Sequence, residues 1–217
     1  MSWLNGRRGY DRARLLESAR KAAARGRHEK AIGFYERVLA VEPENFDLLR
    51  RVAGQRARAG QREQAWHDCQ TVAEQLRKRG FVEQAVGVYR DFAHHLPDES
   101  SVWNALCDLQ LERGSQADAI ASLLEGRAVF KARAQRDQAL ALLRRARKID
   151  STHFEANFAL AGLLARGGSK APALRILKEL EGHVQGRQRR RLRARIFRFS
   201  PGPRTAWRWL RACLGRS

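Results

Sequence analysis

The spacing of six alanines constrains this chain more than any other feature. Ala31, Ala65, Ala85, Ala119, Ala139 and Ala173 are separated by 34, 20, 34, 20 and 34 residues. One long and one short step sum to 54, and at that offset the chain lies over itself without a gap. The segment GRHEKAIGFYERVLAVEPEN from Gly26 meets GFVEQAVGVYRDFAHHLPDE from Gly80, sharing Glu29/Glu83, Ala31/Ala85, Gly33/Gly87, Tyr35/Tyr89 and Pro43/Pro97. A fixed period of this size marks stacked helical units, because one such unit cannot bury its apolar face alone. It implies binding along an extended surface without naming what is bound.

Each period predicts three helices. They span about 45–59, 62–78 and 82–95 in the first full unit, then about 99–113, 116–132 and 136–149, then about 153–166 and 170–182. Ahead of them, about 10–24 and 28–41 match the second and third helices of a unit lacking its first. The chain is thus read as units 8–43, 44–97, 98–151 and a decaying 152–199, followed by a basic tail, 200–217. Gly60, Gly114 and Gly168 recur at one turn, where glycine can take the left-handed conformation that closes a helix. Gly26 and Gly80 hold another turn, whose third copy is Ala134. Pro43 and Pro97 end the third helix of a unit, with Ser151 in the third copy, and Asn45, Ser100 and Ser151 or Thr152 supply N-caps. Apolar residues recur at three and four, as in Ile32, Tyr35, Val38 and Leu39, then Val86, Tyr89, Phe92 and Ala93, then Leu140, Leu143 and Ala146. A bare methyl group at the marker positions lets two helices approach closely.

The ordered recurrence Gly26-Ala31-Tyr35-Val38-Pro43 and Gly80-Ala85-Tyr89-Phe92-Pro97, with Leu49 and Trp103 early in the preceding helix, resembles the tetratricopeptide repeat family over about 10–182. The resemblance implies an all-α fold, a right-handed superhelical α-solenoid of helical hairpins. It also implies a non-enzymatic scaffold or adaptor that holds a partner protein segment on a concave face lined by first helices. The matching exposed positions are Arg20, Arg50, Arg58, Lys78, Asn104 and Asp108. The family's clamp for a peptide carboxylate is not implied, since only Asn104 falls near one of its places. One departure from the family is clear. The 20-residue steps leave no room for a fresh helical pair, so 62–78 and 116–132 each serve two repeats.

Charge adds a second theme. Forty-three basic residues face 23 acidic ones, for a net +20, and no acid follows Glu181. Residues 186–217 hold eleven arginines, leaving +9 for the rest. Such asymmetry points to an anionic partner, although a coding bias toward arginine would also produce it. In RQRRRLRARIFRFS, Leu192, Ile196 and Phe199 are placed to cap the last helix, among Arg189, Arg190, Arg191, Arg193 and Arg195. After the break at Ser200–Pro203, an 11-residue helix over 204–214 sets Trp207, Leu210 and Leu214 on one stripe and Arg204, Arg208 and Arg211 on another, with Trp209 between. Three uses fit: a lipid headgroup boundary, bases stacked on indoles, or a groove on a partner protein. The tail is a second contact for the scaffold or, alternatively, an anchor to an anionic surface, nucleic acid or lipid. A helix this short is marginal alone and is expected to order on contact.

Catalytic signatures are not in the sequence. Gly167-Gly168-Ser169-Lys170 has the wrong order for a phosphate loop, and no GxGxxG or GxSxG occurs. The histidines at 28, 67, 94, 95, 153 and 183 form no i,i+4 pair, so no metal or cofactor is expected, and no enzyme. Cys69 and Cys107 fall on apolar helix faces as small hydrophobes, and with Cys213 they make an odd, widely spaced set without a disulfide framework. The start, MSWLNGRRGYDR, has no apolar core of a signal peptide, and Phe158–Ala165 is too short to span a bilayer. These features predict a cytoplasmic protein.

Overall fold

A computed structural model describes residues 10–214; positions 8, 9 and 215–217 of the expected units lie outside the described residues. The described residues form twelve α-helices and one 3₁₀ turn, with no strand. The helices are α1 (Arg12–Ala24), α2 (His28–Leu39), α3 (Phe46–Arg58), α4 (Arg62–Lys78), α5 (Val82–His95), α6 (Ser100–Glu112), α7 (Gln116–Val129), α8 (Arg136–Ile149), α9 (Phe154–Arg166), α10 (Lys170–Leu180), α11 (Gly186–Phe199) and α12 (Pro203–Cys213). Two compact units divide between Leu109 and Gln110. In the first, α1 to α5 pack in sequence as hairpins and α3 also meets α5; in the second, α7 to α12 pack in sequence and α11 also meets α9.

The alanine period is a burial period. All six marker alanines have 0% exposure. The stripes between them are buried too, from Ile32, Tyr35 and Val38 to Leu140, Leu143 and Ala146, as are Cys69 and Cys107. A polar bond also repeats at 54 residues. The Trp103 Nε1–H donates to the Pro97 carbonyl at 2.8 Å, and at the equivalent place Asn157 Nδ2–H donates to Ser151 at 3.0 Å.

The turns repeat as well. Gly26, Gly60, Gly80, Gly114 and Gly168 have φ from +70° to +90°. In each case the next residue's N–H donates to the carbonyl five positions back, as from Gln61 to Arg56 at 2.9 Å and from Ser115 to Gln110 at 2.8 Å. This bond satisfies a carbonyl the helix end would otherwise strand, and the left-handed residue inside it is why glycine recurs.

Where the third glycine is missing, the backbone changes course. With Ala134 at the turn and no positive φ outside glycine among the described residues, α7 stops at Val129, short of the expected 132. Phe130 leaves the helix at φ −78° and ψ 81°, tucks into the core, and is followed by the 3₁₀ turn Arg133–Gln135. Capping also differs in part. Asn45 accepts from the Leu48 N–H at 3.1 Å as expected, but α9 is capped by His153 Nδ1, which accepts from Ala156 at 3.3 Å. Thr152 instead donates to Asp150, and Ser100 lies inside α6, where Glu99 accepts from the Ser101 hydroxyl at 2.6 Å.

Candidate functional site

One face of α3 builds a hollow in the first unit. Asp47, Arg50, Arg51, Gly54, Gln55 and Arg58 follow the three-and-four spacing that keeps side chains on one helix face. Opposite them stand Val88, Asp91, Phe92 and His95 of α5, with Cys69 and Tyr35 completing a cleft of about 540 Å³. A second hollow, about 370 Å³, shares Asp47, Arg50 and Val88 and continues toward Phe46, Val72 and Leu76. The two hollows lie side by side along α3 and share part of their walls. Gly54 makes the approach possible, since a Cβ there would lie 3.2 Å from His95 Nε2.

The charges in the cleft are unequal in their freedom. Arg50 pairs with Asp91 across it. Arg51 and Arg58 are exposed and make no ion pair among the described residues. Burial, then Arg58 and His94, hold His95 below the usual imidazole range. Burial also pushes the Cys69 thiol far up, so the one thiol lining the cleft is kept protonated. His95 carries a sign. Its folded form disfavours the imidazolium, so the stability it contributes is present above about pH 6.5 and lost as pH falls through its lowered value. Urea midpoints at pH 7.5 and 5.5 should diverge less in His95→Gln than in the wild type.

Of the residues expected on the groove, the cleft gathers Arg50 and Arg58 only. Arg20 is exposed on α1; Lys78 is exposed and lies 3.6 Å from Glu74; Asn104 Nδ2–H donates to the Ser100 carbonyl at 3.0 Å; Asp108 is exposed on α6. The sequence reading missed Arg51, Asp91 and His95. Arg51 was available in the α3 stripe, whereas Asp91 and His95 belong to α5, outside the first helices expected to line the groove.

At the chain's end, several arginines expected on an anionic surface have internal partners. Arg191 is held by Glu155 at 2.6 Å and lies over the rings of Phe154 and Phe158. Arg195 donates to the Phe158 carbonyl at 2.7 Å, with its guanidinium 3.5 Å from that ring's centroid, where burial lowers its pKa. Gly162 leaves it room, since a Cβ there would lie 2.9 Å from the guanidinium. Arg193 and Arg208 share Glu181, each at 3.0 Å. Arg189 is partly buried, and Arg190, Arg204 and Arg211 are exposed, the last 5.2 Å from the Trp207 ring centroid. Helix α12 does not stand alone. Trp209 stacks on Phe197 of α11 with centroids 5.9 Å apart and planes at 5°. No helix among the described residues is long and apolar enough to cross a membrane.

Hairpins closed by left-handed glycines and spaced by buried alanines define an all-α array of repeated helical hairpins. No protein-family model matches the sequence, and no curated protein matches it. Similar solved structures include MamA, at 14% identity over 90% of this chain and 92% of that one, with a TM-score of 0.34. A tetratricopeptide repeat protein from Parabacteroides merdae ATCC 43184 is 15% identical over 95% and 93%, with a TM-score of 0.31. Yeast Tom70 is 14% identical over 95% of this chain and 44% of its own, with a TM-score of 0.43.

Proposed function

We propose that the chain is a non-catalytic scaffold that holds an extended acidic segment of a partner protein in the α3–α5 cleft. The observation that carries this reading is the one face of α3 that lines both hollows, with Arg51 and Arg58 making no ion pair among the described residues. Thirteen residues of helix at 1.5 Å each span about 20 Å, room for about six extended residues. Carboxylates on the segment would complete charge-assisted hydrogen bonds at the Arg58 end, where His95 supplies a third donor once protonated. The only thiol in the cleft is held protonated, a state suited to lining a cleft and not to attack.

Fluorescence anisotropy with labelled acidic octapeptides tests this reading on the full chain. Arg51→Glu with Arg58→Glu should weaken binding by at least about tenfold, given about 1 kcal/mol or more for each charge-assisted contact. The matched reversal Arg20→Glu with Arg25→Glu, on exposed positions outside the cleft, changes net charge equally and should leave binding near wild type. Equal losses in the two variants would mean that only overall charge is being read, and the cleft would lose its assignment.

A further inference from the structure

Helix α12 shows solvent an apolar face that packing among the described residues leaves uncovered. Trp207, Leu210 and Leu214 are 60%, 50% and 75% exposed. At about 100° per residue they fall within an arc of about 60°, and Arg211, Arg204 and Arg208 all follow on one flank of it. The opposite side, Thr205, Ala206, Trp209 and Ala212, is half-buried, with Trp209 against α11. One side of α12 therefore fixes the helix to the fold, and the opposite side offers an apolar edge beside a basic one.

We infer that α12 is a membrane-surface helix that lies in the headgroup layer of an anionic bilayer. Trp207, Leu210 and Leu214 face the acyl boundary, and Arg204 and Arg211 meet lipid phosphates. Charge selects the partner's sign, since no acid follows Glu181. The make-up of the face selects the partner's class. Base stacking uses successive aromatic platforms, whereas one indole and two aliphatic chains are exposed here. A second copy of this chain would bring the same arginines against each other. An indole with leucines beside arginine is the composition of a helix seated at the interface. Because α12 is already docked on α11, binding does not carry the full cost of ordering an 11-residue helix.

The test is co-sedimentation of the full chain with vesicles of phosphatidylcholine alone and of phosphatidylcholine containing about 30% phosphatidylglycerol, a composition that sets the surface charge. The chain should bind the anionic vesicles and leave the neutral ones largely unbound. Leu210→Ser with Leu214→Ser should reduce binding by about tenfold or more. Arg204→Gln with Arg211→Gln should reduce it by about twentyfold at low salt. Thermal midpoints should not move, since these four side chains are exposed. Equal sedimentation with neutral vesicles, or full binding by the leucine variant, overturns the inference. So does binding of a single-stranded oligonucleotide, or self-association in the ultracentrifuge, that the leucine variant loses while vesicles are ignored. Arg51→Glu with Arg58→Glu should still bind vesicles, so the cleft and the helix stand or fall separately.

Discussion

Leucine in place of Ala139 is expected to cost about 3 kcal/mol and to lower the unfolding midpoint by about 6–12 °C. The side chain has 0% exposure in α8, and α8 packs against both α7 and α9, so added carbons have no solvent to move into. A well-packed interior accepts extra methylenes only through strained rotamers or a shifted backbone, and here a shift would open a hairpin. Ala141 provides the comparison. It lies two residues along the same helix but faces solvent, so Ala141→Leu should change the midpoint by about a degree at most. Because Ala85 and Ala31 stand one and two periods earlier with the same burial, their leucine variants should behave like Ala139→Leu. If Ala139→Leu and Ala141→Leu unfold together, close helix approach is not what the alanine period encodes.

The elements of this fold were legible because two signals repeat that have few other physical uses. A buried methyl every 34 and 20 residues places the helix contacts, and a glycine at φ near +80° places the turns. Each expected helix start lies within two residues of the observed one, for instance at Arg62, Gln116, Arg136 and Lys170. The sequence reading failed where a repeat broke its own rule. Ala134 cannot take the left-handed turn, and the resulting early exit through Phe130 depends on a core position that a one-dimensional pattern does not show.

The candidate site was less legible, for a different reason. Periodicity tells which face of a helix is exposed, but not which exposed faces look at each other. Arg50 and Arg58 were visible as exposed residues of α3, while the cleft also needs Asp91 and His95 from α5, a helix that the shared-helix period brings onto α3. At the chain's end the arginine count suggested one basic surface. The fold divides it, with Arg191, Arg193, Arg195 and Arg208 bonded inward and Arg190, Arg204 and Arg211 left at the surface. A guanidinium that stacks on a phenyl ring and donates to a carbonyl, as Arg195 does, has the same letter in the sequence as one in water.

Glu181→Ala is expected to release the last two helices. Glu181 is the final acid in the sequence, and its two oxygens hold Arg193 of α11 and Arg208 of α12, both at 3.0 Å. The Glu181–Arg193 pair is well covered, with side-chain exposures of 14% and 12%. Removing the acid leaves a guanidinium enclosed without its counterion, a change that costs about 3 kcal/mol. The Arg193 contact to the Arg208 carbonyl, at 3.2 Å, cannot replace a carboxylate. The loss should concentrate in α11 and α12 as local opening, which brief trypsin treatment reports because both helices are rich in arginine. When reclosing is faster than cleavage, about 3 kcal/mol corresponds to cutting about a hundredfold faster in this segment, with α1 to α5 unaffected. A second change separates the lost charge from lost packing. Arg193→Leu in the Glu181→Ala background removes the stranded cation and should restore much of the protection, since an apolar pair can occupy such a site as stably as an ion pair. Cutting of Glu181→Ala at the wild-type rate would mean that Leu192, Ile196 and the Phe197–Trp209 stack hold the end of the chain without the ion pair.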